Sequence, residues 1–262
     1  MKKQIVCLSF ILLLILANGT AAQENVWWQL PTLPLAEIYG NILIDRASSK
    51  EGVKPVTFSH WSHRTQYTCR VCHFEIDFNM MLNTTMITED GNKHGRYCGE
   101  CHDGKIAFGH TEGNCDKCHN GNISYGKEKF KNLSNLPQSQ AGNGIDWVKA
   151  LSGGFIKPKT YLREEIKPIV FEHQIDIETA WAGISPVVFK HAVHGQWLDC
   201  SNCHPEIFSI QREGTEGLAM EYILKYEFCG VCHGKVAFPP NDNCVRCHPK
   251  MKNPGKELEK AH

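Results

Sequence analysis

A mostly irregular fold, with short α-helices wrapped around prosthetic groups and the chain built as two tandem units, is what this sequence predicts. Three observations predict it. The motif C-x-x-C-H occurs six times and takes in every cysteine but one of the 13. The motifs form two sets of three: Cys200, Cys229 and Cys244 follow Cys69, Cys98 and Cys115 at separations of 131, 131 and 129 residues. Units of about 75 residues are too small to build an apolar core of their own around such groups. Composition excludes other classes. Lys+Arg and Asp+Glu balance at 28 each, which argues against a nucleic-acid binder. A hydrophobic content of 42% argues against a polytopic membrane protein.

Taken in order, residues 1–22 read as a secretory signal peptide. Lys2 and Lys3 form a short basic region, Ile5 to Ala17 is an apolar run, and Thr20-Ala21-Ala22 supplies small residues for cleavage. A run of 13 residues is short of the roughly 20 that span a bilayer, so no stable membrane insertion is expected. Cys7 goes with the peptide. The mature chain then keeps twelve cysteines and 26 basic against 28 acidic side chains, a formal charge of −2. Its expected location is periplasmic, with secretion or the cell surface as alternatives. Residues 23–50, with Trp27 and Trp28, read as an N-terminal wrap.

The first unit, 51–125, carries Cys69-Arg70-Val71-Cys72-His73, Cys98-Gly99-Glu100-Cys101-His102 and Cys115-Asp116-Lys117-Cys118-His119. The second, 181–255, carries Cys200-Ser201-Asn202-Cys203-His204, Cys229-Gly230-Val231-Cys232-His233 and Cys244-Val245-Arg246-Cys247-His248. Two thiols separated by two residues can add across the two vinyl groups of one haem, and the following His is then placed under the iron as proximal ligand. Cys₄ zinc sites and thiol–disulfide exchange use the same cysteines, but neither needs a His after every pair. The reading is six covalently bound haem c groups, with His73, His102, His119, His204, His233 and His248 as proximal ligands.

Between the units, residues 126–180 form a linker without a motif. Lys127 to Gln140 is polar and loop-like. Ile145 to Leu151 has helical apolar spacing, with Asn143 as a candidate cap and Gly153-Gly154 as a stop. The linker either sets the angle between the two haem groups or covers an exposed haem edge. Residues 256–262 form a tail.

Eight histidines remain: His60, His63, His94, His110, His173, His191, His194 and His262. A closed electron-transfer haem needs a second axial ligand, usually His or Met. The lead-in Val56-Thr57-Phe58-Ser59-His60-Trp61-Ser62-His63 recurs as Val187-Val188-Phe189-Lys190-His191-Ala192-Val193-His194. Each F-x-H-x-x-H element puts two His three residues apart, on one side of a helical turn. A follow-on, Gly104 to Phe108, recurs as Gly234 to Phe238. His110 and His262 read as solvated.

With these motifs, both repeats resemble the trihaem cytochrome c7 family, a shortened branch of the tetrahaem cytochrome c3 family, and most closely its periplasmic members built from tandem units. Residues 23–50 and 126–180 lie outside the resemblance. In that family the first His of F-x-H-x-x-H ligates the first haem and the second His the following one. The resemblance thus implies the pairs His60 with His73, His63 with His102, His191 with His204, and His194 with His233. For the third haem of a unit, single-unit members use a His four residues before the second motif, where His94 stands. Polymeric members use a Met nine residues before it, where Met220 stands. Met86, the counterpart in the first unit, departs from that spacing by standing twelve residues before Cys98. His94 is taken for the third haem, with Met86 and His110 as alternatives. Met220 is taken for the sixth, with His173 as the alternative.

The function expected is electron carriage between redox proteins outside the cytoplasm, in anaerobic respiration or extracellular electron transfer. Expected partners are a membrane quinol-oxidising cytochrome or an outer-membrane cytochrome conduit, with no nucleic acid and no fixed oligomeric state. The alternatives are a multihaem reductase with one open iron and a subunit of an extracellular cytochrome filament.

Overall fold

Each repeat begins with a two-stranded antiparallel hairpin that runs directly into a helix bearing two histidines. β1 (Asn41–Ile44) pairs with β2 (Val56–Ser59) in the register Asn41↔Ser59 to Ile44↔Val56. α1 (His60–Arg64) follows without a break. In the second repeat β3 (Gln174–Ile177) pairs with β4 (Val187–Lys190), Gln174↔Lys190 to Ile177↔Val187, and α5 (His191–Gly195) follows. β1 lies in the segment read as an N-terminal wrap and β3 in the segment read as linker. Each repeat therefore draws its first strand from upstream of the boundary expected for it.

The computed structural model describes residues 30–163, 169–179, 182–211 and 216–254. The expected signal peptide with Cys7, Trp27, Trp28 and His262 lie outside them. Met1–Pro31 is one unit, of which only Leu30 and Pro31 are described; Thr32–His262 is a second, compact one. Regular structure in it is short, as the fold class predicts. α2 (Glu89–Lys93) starts at Thr88, whose hydroxyl accepts from the Gly91 amide at 3.1 Å, with Glu89 and Asp90 favourably placed in its first turn. α3 (Cys115–Cys118) and α7 (Cys244–Cys247) are single turns holding the third motif of each repeat. α6 (Met220–Leu224) is the counterpart of α2. Among the described residues no helix is long and apolar enough to cross a membrane.

The linker departs most from its expected form. Its helix, α4, spans Trp147–Ser152 and is capped by Asp146, whose carboxylate accepts from the Lys149 amide at 3.0 Å. Asn143 is not the cap; its side-chain oxygen accepts from the Ile145 amide and the Trp147 indole instead. Gly153 closes the helix, and Gly154 follows at φ +70, where a side chain is disfavoured. The stretch read as polar loop contains a 3₁₀ segment, Lys127–Leu133, and buries Leu133 and Leu136.

Those two leucines join Ile145, Ala150 and Ile156 in one apolar cluster with Trp61 from the first repeat and Trp197 from the second. The linker is thus a wedge that both repeats grip by a tryptophan. Arg64 lies over the rings of Trp147 and Trp197, its guanidinium carbon 5.1 and 5.3 Å from their centres, in cation–π contact. Trp197→Ala empties the centre of this cluster and is expected to cost about 3–5 kcal/mol of stability. A fall in the guanidinium midpoint of the haem-loaded protein checks this.

Candidate haem sites

The six motif histidines share one construction. In five motifs the His amide donates to the carbonyl of the first Cys at 2.8–2.9 Å, so the imidazole stands one turn from the first thiol. The ring is then fixed by a bond from Nδ1 to a backbone carbonyl. His73 donates to Phe78 (2.8 Å), His102 to Phe108 (3.0 Å) and His119 to Lys54 (2.9 Å). His204 donates to Phe208 (2.8 Å), His233 to Phe238 (2.9 Å) and His248 to Ser185 (2.6 Å). A carbonyl can only accept, so Nδ1 carries the proton and Nε2 presents its lone pair. Metal-ligating histidines commonly have their other ring nitrogen held in this way.

Five further histidines are held the same way. Nδ1 of His60 donates to Gly40 (2.8 Å), His63 to Ser59 (2.9 Å), His94 to Asp90 (2.8 Å), His191 to His173 (2.8 Å) and His194 to Lys190 (3.0 Å). These are the five expected as distal ligands. Among the described residues no such bond holds His110 or His173, and His110 is exposed.

Three of the expected pairs face each other. Ring centres stand 6.5 Å apart for His60 and His73, 6.4 Å for His63 and His102, and 6.2 Å for His194 and His233. Two imidazoles on opposite faces of one iron, each nitrogen about 2.0 Å from the metal, have ring centres about 6.3 Å apart. The donor set and its spacing therefore fit a haem between each pair. Among the described residues no three of His, Cys, Asp and Glu converge to hold a bare ion; the donors oppose one another across gaps. The fourth expected pair is not brought together. Among the described residues the ring facing His191 is His173, at 6.2 Å, and not His204.

Burial favours the neutral form, the one that binds iron, at five of these imidazoles. It drives His60 down to about 3, with the neighbouring His73 contributing, and His233 to about 4. His63, His73 and His194 are lowered by the same cause. Burial also lifts the thiols of Cys72, Cys229 and Cys232 to about 12, adjacent cysteines adding to the effect.

Two phenylalanines matter that the sequence reading quoted without a role. Phe58 stacks on His63 (4.5 Å) and meets His60 edge-on (4.8 Å); Phe189 does the same to His194 (4.4 Å) and His191 (4.8 Å). One ring on the strand thus sets both imidazoles of the helix. Its recurrence two residues before the first His was the available signal.

His94 and Met220, the ligands expected for the third haem of each unit, stand at α2 and α6. His94 ends α2, and Lys225 ends α6 in the corresponding place, 131 residues on. Met220 is the first residue of α6 and half-buried. Met86 is 42% exposed. Both helices lie directly on the second motif of their unit: a Cβ at Gly99 or Gly230 would overlap the carbonyl oxygen of Asn92 or Ile223.

Two stretches of the chain, residues 56–120 and 187–249, match the family described as cytochrome c7 and related cytochrome c. No curated protein matches. Among solved structures, the C-terminal hexahaem fragment of GSU1996 is 24% identical, over 83% of this chain and 99% of that chain, with a TM-score of 0.27. The dodecahaem cytochrome c GSU1996 is 24% identical over 80% and 48%, with a TM-score of 0.26. Its N-terminal hexahaem fragment is 22% identical over 81% and 99%, with a TM-score of 0.25.

Proposed function

We propose, for a chain whose two repeats both match the cytochrome c7 and related cytochrome c family, that it relays electrons between redox proteins outside the cytoplasm through six haems, each closed by two axial ligands. As a multihaem cytochrome it carries covalently bound haem c and conducts electrons. Each bound haem supplies a one-electron iron couple; the chain's residues hold the irons closed and close together. The observation that carries the reading is the Nδ1–carbonyl bond, present at six motif histidines and at five others.

The ligand pairs proposed are His60 with His73, His63 with His102, His194 with His233 and, by repetition, His191 with His204. His94 closes the third haem, because its ring is held by the same Nδ1–carbonyl bond as the others. Met220 closes the sixth, since Lys225 takes the place of His94 there. Met in place of His raises a haem potential, so the sixth haem is where electrons settle. Met220→His is expected to lower the highest potential in a redox titration of the holoprotein. No change in that potential would remove Met220 from the site.

The periplasm is the proposed location. A membrane quinol-oxidising cytochrome and an outer-membrane cytochrome conduit are the proposed partners, in anaerobic respiration or extracellular electron transfer. One observation favours a second reading: the sixth haem lacks the His that the third has, and an iron left open there would make a reductase. Carbon monoxide added to the dithionite-reduced holoprotein separates the two. Six closed irons give no difference spectrum, and ready binding at about one haem in six would replace carriage with a reductase assay. Electron microscopy of secreted material tests the filament alternative.

A further inference from the structure

The side chains between the cysteines are free of any attachment chemistry, yet their surroundings differ from motif to motif. In the first motif Arg70 is 2% and Val71 1% exposed, and in the fourth Asn202 is 4% exposed. In the third, Cys115, Asp116 and Lys117 are all exposed, and in the sixth Val245 and Arg246 are exposed. Buried cations are rare unless paired, so Arg70 calls for an explanation. Its amide donates to the Trp197 carbonyl at 2.9 Å, and its Nη2 donates to the carbonyls of Gly195 (2.9 Å) and Leu198 (2.5 Å). Asp199 lies 3.9 Å from its Nε. From the other side, Asn202 Nδ2 donates to the His73 carbonyl at 2.9 Å. All these partners lie in the lead-in to the fourth motif, in that motif, or in the first. Cys200 and Ser201 stay open to solvent, so the contact is made by one edge of the fourth motif.

We propose that the two trihaem units meet head to head, with the first attachment motif docked on the fourth, and that Arg70 and Asn202 are the positioning residues that make this contact the crossing point for electrons between units. The proposal rests on the reading of six closed haems. Asn202 stands between the two cysteines that anchor the fourth haem. Its hydrogen bond ends on the carbonyl of His73, the residue whose ring ligates the first. One hydrogen bond therefore bridges an iron ligand in one unit and a porphyrin anchor in the other. One electron crosses, oxidising one iron and reducing the other, with no bond made or broken and no proton moved. The third and sixth motifs, whose intervening residues are exposed, become the outer ends that face donor and acceptor.

The test is exchange NMR on partly reduced holoprotein, reading haem-methyl signals of each haem, for Asn202→Ala and Arg70→Lys. Arg70→Lys keeps the buried charge, and Asn202→Ala removes a single side chain, so a fold lost in one leaves the other informative. Exchange between the first and fourth haems is expected to slow by roughly 2- to 30-fold, the range one member of a coupling network carries. Exchange within each unit is expected to hold. Unchanged exchange between units in both variants overturns the proposal. So does an equal slowing inside the units, which would make the two residues supports of their own haem sites. Haem content and carbon monoxide binding of the parent, measured alongside, report on the closed-haem reading separately.

Discussion

A variant with all twelve motif cysteines changed to serine is expected to lose its cooperative unfolding transition altogether. The described residues hold one apolar cluster of seven buried side chains, and it lies between the repeats rather than inside them. Within the repeats large apolar side chains beside the motifs stand open: Phe74 is 45% and Ile106 61% exposed. These are surfaces a bound porphyrin would cover. An aromatic side chain buries roughly 150–250 Å², and a haem is several times larger, so six of them replace the missing core. Axial ligation would add cross-links, as between His63 on α1 and His102 in the second motif, the pair proposed for one iron. Metal binding of this kind is part of the folding free energy. Circular dichroism of loaded and serine-substituted protein on heating reads the outcome. A sigmoidal melt of the serine variant near the loaded protein's midpoint would show that the polypeptide folds unaided.

The covalently bound haem c cofactor was legible, because thioether chemistry fixes both the residue types and their spacing. The F-x-H-x-x-H helices were legible for a related reason: three-residue spacing and a repeat in register leave little freedom. What sequence did not reveal depends on contacts made at long range. The strands Asn41–Ile44 and Gln174–Ile177 are four residues each and gain meaning only by pairing with the lead-ins. Leu133 and Leu136 sit in a polar stretch and are buried only because Trp61 and Trp197 arrive from elsewhere. The pairing of His191 with His204 is implied by the family resemblance alone. In the structure the fourth motif is pinned onto the first through Asn202, and the imidazole facing His191 is that of His173. Repetition copies local geometry; it says nothing about where one copy docks on the other.

Gly99→Ala and Gly230→Ala are expected to open the third and sixth haems while leaving all six attached. Neither glycine is needed for a left-handed backbone, as neither has a positive φ. Each is needed for approach. The added methyl would overlap the main-chain carbonyl of Asn92 or Ile223, and a backbone atom within a helix cannot swing aside as a side-chain end can. The helix must move, and with it His94 at the end of α2 or Met220 at the start of α6. The motif tolerates any residue between its cysteines, so haem content by pyridine haemochrome is expected to stay at six. Overpacking of this kind costs about 1–3 kcal/mol, enough to release one axial bond without unfolding the chain. Gly113→Ala is the control, since it lies just before the third motif with nothing within 4 Å of its added methyl. Carbon monoxide difference spectra of the reduced proteins are expected to gain one binding haem in each of the two variants and none in the control. If neither variant binds more than the parent, α2 and α6 do not carry the distal ligands, and the third and sixth irons are closed from elsewhere in the fold.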